Sequence, residues 1–303
     1  MKIIFFGTPN YVLPVLNKLY KEYEIAAVVT QPPRPVGRKK IKQFSPIDDW
    51  AHKKKIKIFF EPAKIIEKKI EADLAIVAAY GLLIPKNVLN YFKYGALNIH
   101  PSLLPKWRGP SPVRASIIEG EMAGATIIQL DEQMDHGPIV SQFKHDLDMS
   151  ETSDMLTQIL FERSSDFLLD LIPSYVSKRL LPKAQDHSKA TFTKLLKKED
   201  GFIPPEILSK GIKGEYSKES WKIRFLNDFE ISTTPDSILR FIKGMSSWPG
   251  AWTEVKIDGI EKRLKILDAK LDNSKLSLTE VQLESKNPTS WVEFTSRHPN
   301  FSL

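Results

Sequence analysis

Alternation between short apolar runs and amphipathic segments fills the first half of the chain and constrains its fold more than any other feature. Apolar runs of about five residues bounded by turn residues are typical of buried parallel strands, and the segments between them have helical spacing. The pattern therefore predicts an α/β fold: a doubly wound, Rossmann-like and mostly parallel sheet. The predicted strands are Lys2–Phe6, Glu24–Thr30, Ile56–Phe60, Leu74–Ala79, Ala96–His100 and Ala125–Leu130.

Caps and apolar periodicity predict the helices of this half. Pro14 is tolerated only in a first turn, so the first helix should begin near Tyr11, and Ser45 can cap the start of another. Ser150–Leu171 has the spacing of a long amphipathic helix that packs on the sheet. Its predicted apolar face consists of Met155, Leu156, Ile159, Leu160, Phe167 and Leu168.

A chain of 303 residues exceeds the usual size of one domain, and its character changes after the long helix. A Lys-rich stretch with little periodicity comes first. It is followed by a short helix and strand-like runs at Pro235–Lys243, Ala251–Ile257, Arg263–Leu267, Leu276–Val281 and Trp291–Phe294. We predict a first domain over 1–180, a basic linker with an insertion over 181–230, and a small C-terminal β domain over 231–303.

Composition excludes several kinds of site. The chain has no cysteine, which rules out disulfides, thiolate metal ligands and a cysteine nucleophile. No apolar run approaches the roughly 20 residues that cross a bilayer, and no signal peptide is evident, so we expect a cytoplasmic protein. A net charge of +7 suggests an anionic partner, although a solvated basic surface explains it equally well.

The first turn after a strand, Gly7-Thr8-Pro9, can present backbone N–H groups to an anion. It lacks the GxGxxG fingerprint of dinucleotide binding, and Thr30-Gln31-Pro32 stands where an acidic residue would bind a ribose. The sequence therefore disfavours a nicotinamide cofactor, and the bare turn is more simply explained as a structural one.

Polar side chains lie at the end of one predicted strand and in the loop after the next one. Asn98 and His100 are two residues apart at the end of one strand, so their side chains point the same way. A stiff, proline-rich loop follows them, which is typical of a binding loop, and Asp135 lies in the loop after the next strand. Alone, each could be a cap, a surface histidine or a turn residue. Together they predict a site for proton transfer and oxyanion stabilisation without a covalent step.

Five segments carry a resemblance to a known family: FFGTP, VVTQPPRPVGRKK, AAYGLLIP, LNIHPSLLPKWRGPSP and QLDEQMDHGPIV. Their order and approximate spacing are similar to those of the folate-dependent formyltransferases, and the chain most resembles the methionyl-tRNA formyltransferases among them. The resemblance covers the predicted first domain. It implies 10-formyltetrahydrofolate as co-substrate, no metal, and a C-terminal OB-like domain, which here looks shortened after Leu267.

The resemblance also implies roles for individual residues. Asn98 would hydrogen-bond the formyl oxygen, His100 would stabilise the developing oxyanion, and Asp135 would tune the imidazole and help move a proton. The implied folate-binding residues are Gly81, Leu82, Leu83, Ser102, Leu103, Leu104, Pro105 and Asp131. His136 departs from the family pattern, in which a small or hydroxyl residue commonly follows the aspartate, and Gly201–Phe229 looks like an insertion.

Two basic clusters bear on the formyl acceptor. The implied tRNA-binding residues are Arg34, Arg38, Lys39, Lys40 and Lys42 in one loop, and Lys194, Lys197 and Lys198, with Lys189 nearby, in the linker. Two such clusters suit a polyanion better than one nucleotide, so initiator methionyl-tRNA is the expected partner and the family suggests a monomer. An amino-sugar nucleotide is the alternative acceptor. Solvated mobile loops, or an inactive RNA-binding scaffold, are the other interpretations.

Overall fold

The computed structural model describes residues 1–36 and 41–303. Its strands are β1 (Lys2–Gly7), β2 (Glu24–Val29), β3 (Arg34–Val36), β4 (Ile41–Gln43), β5 (Lys57–Phe59), β6 (Leu74–Ala78), β7 (Ala96–His100), β8 (Ala123–Gln129), β9 (Ile139–His145), β10 (Ser217–Lys222), β11 (Glu230–Thr233), β12 (Ala251–Ile257), β13 (Ile260–Asp272), β14 (Lys275–Leu283) and β15 (Thr289–Ser290). Its helices are α1 (Leu13–Glu22), α2 (Pro46–Lys54), α3 (Lys64–Glu67), α4 (Lys86–Leu89), α5 (Pro112–Glu119), α6 (Ser153–Val176), α7 (Pro205–Lys213), α8 (Pro235–Gly244) and α9 (Trp291–Arg297). Short 3₁₀ helices cover Asn10–Val12, His187–Lys189 and Lys198–Gly201.

The chain divides into two compact units. The first comprises Met1–Arg108, Gly124–His145 and Thr157–Thr191, and the second comprises Gly109–Ala123, Asp146–Leu156 and Phe192–Leu303. The domain limits expected from the sequence, 1–180, 181–230 and 231–303, stay a prediction. Two short stretches that precede residue 180 belong to the second unit.

A seven-stranded sheet organises the described part of the first unit, in the order β5-β2-β1-β6-β7-β8-β9. The pairs from β5 to β7 are parallel, and β8 runs antiparallel to β7. Buried apolar side chains cover both faces: α1, α2 and α6 contribute to one core, and α3 and α4 contribute to the other. These features confirm the predicted doubly wound, mostly parallel fold.

Local signals explain why the elements begin where they do. Pro14 lies in the first turn of α1, directly after the 3₁₀ turn Asn10–Val12, as its missing N–H requires. The Ser45 side chain accepts a hydrogen bond from the Asp48 backbone N–H and so caps α2. Both predicted helix starts are therefore confirmed.

The second unit contains an antiparallel sheet in the order β12-β13-β14-β15, with a separate β10–β11 pair. Helix α8 packs on α5 and on β13, and α7 packs on β14. Close approach explains Gly211 in α7: a Cβ there would lie 2.7 Å from Ile238 and 3.4 Å from Leu276. The predicted C-terminal β domain is confirmed as antiparallel strands, and its closure into an OB-like barrel stays a prediction.

Three local predictions were wrong. Trp291–Phe294 belongs to helix α9 and not to a strand, because the Ser290 side chain caps the helix by accepting from the Glu293 backbone N–H. The Lys-rich stretch, whose lack of periodicity predicted irregular structure over 178–222, contains helix α7 and strand β10. Met155 is 50% exposed and therefore does not belong to the buried face of α6.

Among residues 1–36 and 41–303, no helix has both the length and the apolar character needed to cross a membrane.

Candidate active site

Strand β7 gives Asn98 and His100 their common direction. Leu97 and Ile99 pack into the core on one face of the sheet, so the alternating residues Asn98 and His100 point to the other face. Asn98 is partly exposed, and no protein group within the described ranges, 1–36 and 41–303, hydrogen-bonds its carboxamide. This carboxamide is therefore available to a ligand, and its contact with a formyl oxygen stays a prediction.

The His100 ring is 4% exposed and lies between two oxygen atoms. Its Nε2 is 3.0 Å from the Trp107 carbonyl oxygen, and its Nδ1 is 3.4 Å from Oδ1 of Asp135. Both neighbours are hydrogen-bond acceptors, and the tautomer decides which ring nitrogen donates. The structure thus brings His100 and Asp135 into the predicted pair.

Asp135 reaches His100 although the strand that precedes it, β8, does not end beside the end of β7. Because β8 is antiparallel to β7, with Leu97 opposite Gln129, the loop after β8 starts at the far end of β7 and must turn back along it. Asp135 itself has a φ of 52°, in the left-handed region that Asp tolerates at a cost on the order of 1 kcal/mol. Its side chain is only 12% exposed.

The loop after β7 is held in place by two side chains from the neighbouring strands. The Thr126 hydroxyl donates to the Ser102 carbonyl oxygen at 2.6 Å and accepts from the Leu104 backbone N–H at 3.1 Å. The Gln142 Nε2 donates to the Leu104 carbonyl oxygen and to the Thr126 hydroxyl, both at 2.8 Å. These hydrogen bonds hold the backbone of the loop beside His100 in place.

A second group of loops meets at the ends of the parallel strands β1, β2 and β6. The Tyr80 carbonyl oxygen accepts from the Thr8 hydroxyl at 3.2 Å and from Gln31 Nε2 at 2.8 Å. Gly81 has a φ of +77°, a backbone conformation that favours glycine, and a Cβ there would lie 2.7 Å from Gln31 Nε2 and displace that side chain. The turn Gly7-Thr8-Pro9 therefore has a structural role in joining these loops.

The predicted folate-binding residues differ in how far their side chains are exposed. Leu82 and Leu83 are 48% and 78% exposed, and such apolar side chains beside polar groups suit a flat heterocycle. Ser102 and Leu104 are buried, and the Ser102 hydroxyl donates to the Lys106 carbonyl oxygen, so their side chains serve the fold of the loop. Leu103 and Pro105 are partly exposed.

Asp131 is engaged within its own loop. Its Oδ1 accepts from the Gln133 backbone N–H at 2.9 Å, and its Oδ2 lies 2.7 Å from Nδ1 of His136. The His136 ring in turn stacks on His187, with centroids 4.1 Å apart and planes 3° apart. His136, which the sequence marked as unusual, thus braces this loop and does not contact the His100–Asp135 pair in any of these bonds.

The buried guanidinium of Arg108 interacts electrostatically with the carboxylates of this acidic loop. Burial lowers the pKa of Arg108, and the carboxylates of Asp135 and Asp131 oppose that shift. In the described part of the chain, no group of three or more His, Cys, Asp or Glu side chains could hold a metal ion.

Comparison with known proteins decides the family. The sequence model of the formyl transferase family matches residues 1–172. Methionyl-tRNA formyltransferase of Bacillus licheniformis is 32% identical over 308 residues, covering 97% of this chain and 94% of that protein. That of Listeria welshimeri is 33% identical over 284 residues, covering 91% of this chain and 81% of that protein. The chain belongs to the methionyl-tRNA formyltransferase family.

Solved structures of lower identity share the fold of this family member. Methionyl-tRNA formyltransferase from Clostridium thermocellum has a TM-score of 0.56 at 21% identity, covering 93% of this chain and 98% of that chain. A 4-N formyltransferase from Francisella tularensis has a TM-score of 0.61 at 18% identity, covering 89% and 98%. HypX from Aquifex aeolicus, in complex with tetrahydrofolic acid, has a TM-score of 0.60 at 14% identity, covering 98% and 47%.

The residues that the family resemblance assigned to tRNA are exposed wherever the structure describes them. Arg34 and Lys42 lie on the β3–β4 hairpin, where Lys42 pairs with Pro35. Arg38, Lys39 and Lys40 lie outside the described residues. Lys194, Lys197 and Lys198 are exposed in the second unit.

Several residues that organise this candidate site were missed by the sequence analysis. Thr126 and Gln142 carry no motif, although their positions on β8 and β9 beside a proline-rich loop are where anchors are needed. Thr191 accepts from the Trp107 backbone N–H at 2.8 Å through its hydroxyl. Gln185 contacts the Asp135 loop from 50 residues away, in a Lys-rich stretch with no periodicity to reveal it.

Proposed function

We propose that this chain transfers the formyl group of 10-formyltetrahydrofolate to the amino group of initiator methionyl-tRNA, giving N-formylmethionyl-tRNA for translation initiation. The observation that carries the proposal is one carboxamide, Asn98, beside a paired imidazole and carboxylate, His100 and Asp135. Membership of the methionyl-tRNA formyltransferase family supports the choice of reaction.

The chemistry is acyl transfer between two nitrogen atoms. The methionyl amine attacks the formyl carbon, a C–N bond forms, and the carbonyl oxygen acquires negative charge in a tetrahedral intermediate. An N–H of Asn98 donates to that oxygen, and the His100 imidazole adds a second donor when it turns from the Trp107 carbonyl. The C–N bond to folate then breaks, and the proton lost by the amine reaches the folate nitrogen.

Asp135 has two tasks in this scheme. Its carboxylate, 3.4 Å from His100 Nδ1, orients the ring and stabilises it while it carries a proton. It also accepts the proton of the attacking amine and delivers it to the departing nitrogen. The His100–Asp135 pair thus shuttles a proton, while Asn98 stabilises charge.

The donor would lie along the loops that carry Gly81–Leu83 and Leu103–Pro105. The exposed Leu82 and Leu83 offer apolar contact to the pterin, and backbone groups of the two loops offer hydrogen bonds. The bound tetrahydrofolic acid of HypX, a protein of similar fold, supports folate as the donor class. No residue set in this scheme requires a metal.

The acceptor is inferred from charge and family. The exposed basic side chains of Arg34, Lys42, Lys194, Lys197 and Lys198 suit the phosphates of a tRNA acceptor arm. Arg38, Lys39 and Lys40, which lie between Arg34 and Lys42 in the sequence, add to this basic charge. We propose that the protein acts as a monomer in the cytoplasm, where charged initiator tRNA is made. An amino-sugar nucleotide would engage fewer of these charges.

Formyl transfer from 10-formyltetrahydrofolate tests this proposal directly. Charged initiator methionyl-tRNA and an amino-sugar nucleotide are offered in parallel, and formylated products are separated and counted. We expect formylated tRNA only. Formylation of the sugar alone would retain the donor chemistry and refute the acceptor, and turnover of neither would refute the enzyme assignment.

A further inference from the structure

A buried glutamine, Gln185, joins the loop that contains Asp135 to the buried guanidinium of Arg108. Gln185 is 6% exposed, and its Nε2 donates to the Asp135 carbonyl oxygen at 2.8 Å and to the Gly137 carbonyl oxygen at 2.7 Å. Its Oε1 accepts from Arg108 twice, from Nη2 at 2.6 Å and from Nε at 3.2 Å. A carboxamide has two N–H donors and two acceptor sites, and here all four are used.

The two carbonyl groups that Gln185 binds flank the turn after Asp135. Because Asp135 adopts a left-handed φ of 52°, its conformation depends on contacts that hold the backbone on both sides. Gly137 is also confined, since a Cβ there would lie 1.9 Å from the Gln129 carbonyl oxygen. The Gln185 amide therefore closes the turn at the point that sets the direction of the Asp135 carboxylate.

Arg108 holds the Gln185 carboxamide at its oxygen atom. Its guanidinium is 5% exposed, and Nη2 lies 2.8 Å from Nδ1 of His187 as well as contacting Gln185. Arginine has only donors, so this His187 nitrogen is the acceptor. The same His187 stacks on His136, which binds Asp131 in the loop that contains Asp135. The loop is thus held at both Asp131 and Asp135 through one connected network, whose Arg108 and Gln185 members are buried.

We propose that Gln185 is a positioning residue for Asp135: its carboxamide holds the Asp135 backbone in the left-handed turn that aims the carboxylate at His100. This inference rests on the proposed function, because it presumes that Asp135 takes part in formyl transfer. Gln185 touches neither reacting group, so it acts on the rate only through the geometry of Asp135.

Two substitutions test this role. Gln185→Glu keeps the size and the Arg108 contact but replaces the donors with an oxygen that repels both carbonyl groups, and Gln185→Met removes the donors without adding charge. For each we expect kcat to fall about 100-fold, as a displacement of about 1 Å does, while KM for tRNA and for folate changes less than about threefold. Gln282→Glu is the matched control, because Gln282 Nε2 donates to the Lys286 carbonyl oxygen on an exposed turn.

A double-mutant cycle separates positioning from general loss of structure. Asp135→Asn should lower kcat strongly, and adding Gln185→Glu should lower it less than about threefold further, because the group being positioned is already disabled. Circular dichroism and thermal melting report the folded fraction of each variant, and Gln185→Met serves if Gln185→Glu does not fold.

The outcomes distinguish this inference from the proposed function. Near-normal kcat in both Gln185 variants, or a full 100-fold loss when Gln185→Glu is added to Asp135→Asn, would overturn the positioning role. A selective fall in kcat that vanishes in the Asp135→Asn background would support it. Normal turnover by Asp135→Asn would instead overturn the catalytic role of Asp135, and the inference with it.

Discussion

The edge that carries the proposed chemistry and the surface that carries the proposed tRNA contacts differ in how they are built. His100 and Ser102 are almost fully buried, and each forms a hydrogen bond to a backbone oxygen. Arg34 and Lys42 are exposed on a hairpin of two three-residue strands. Hydrogen bonds hold the side chains of the first region in place. The second region is characterised mainly by its exposed charges.

This difference teaches that rate and affinity are separable in this protein. Acyl transfer requires hydrogen-bond donors at about 2.7 to 3.1 Å from the position that the oxyanion occupies, so the side chains that donate must be held in place by other residues. Attraction to a polyanion depends on the number of charges near it and tolerates motion of long side chains. Substitutions in the two regions should therefore change different measured constants.

The largest effect should come from His100→Ala. Loss of the imidazole removes a proton carrier and a donor together, and we expect kcat to fall by about 1,000-fold or more. The Kd for methionyl-tRNA, measured by filter binding, should change less than about threefold. A variant that kept a tenth of the wild-type turnover would show that His100 is not part of the chemistry.

The next largest effect on kcat should come from Asn98→Ala. Its carboxamide supplies one donor to the developing oxyanion, and the loss of one such donor costs about 3 kcal/mol, or roughly 100-fold in kcat. Rapid-quench measurement of a single turnover isolates this step from product release. If Asn98→Ala raised KM for folate and left the single-turnover rate intact, the carboxamide would be a binding group only.

Apolar patterning made the sheet and its core predictable from the sequence. Strand β7 was predicted at its observed limits, because a buried run bounded by turn residues specifies both ends. Strand β9 was missed since only Val140 in it is fully buried, which leaves a weak pattern. The run at Trp291 was assigned to a strand because the cap at Ser290, a single hydrogen bond, outweighs the propensity of aromatic residues there.

The site was predictable only where local rules apply. The period of two residues along a strand gave Asn98 and His100 one direction, and the loop after β8 gave Asp135. The route by which Asp135 reaches His100 depends on the antiparallel pairing of β7 and β8, which the sequence pattern does not encode. Gln185 was unpredictable for a related reason, since its contacts depend on tertiary packing across 48 to 50 residues of chain.

A smaller effect is expected when the exposed charges are removed. Arg34→Ala combined with Lys42→Ala should raise the Kd for tRNA several-fold and reduce the slope of log Kd against log salt by about 1.4 to 1.8. The kcat at saturating tRNA should be unchanged. Arg38→Ala combined with Lys40→Ala tests the remainder of the same basic loop in the same way.

The control for this experiment is Lys21→Ala combined with Lys68→Ala, which removes the same charge from two exposed positions outside both basic clusters. An equal change of salt slope in the control would mean that net charge, and not these positions, attracts the tRNA. A slope unchanged in every pair would leave the basic loop as an ordinary solvated surface.

The smallest effect should come from the base of the basic loop, between β2 and α2. The buried hydroxyls of Thr30 and Ser45, 2.7 Å apart, close the segment between β2 and α2, and Ser45 also caps α2. Ser45→Ala should lower the free energy of unfolding by about 1 kcal/mol, the usual value of an N-cap, while kcat stays unchanged. Urea denaturation measures the first quantity and tRNA titration tests for a modest rise in Kd. If Ser45→Ala lowered kcat as well, the ordered edge and the basic loop would be mechanically coupled, and the separation of rate from affinity would not hold.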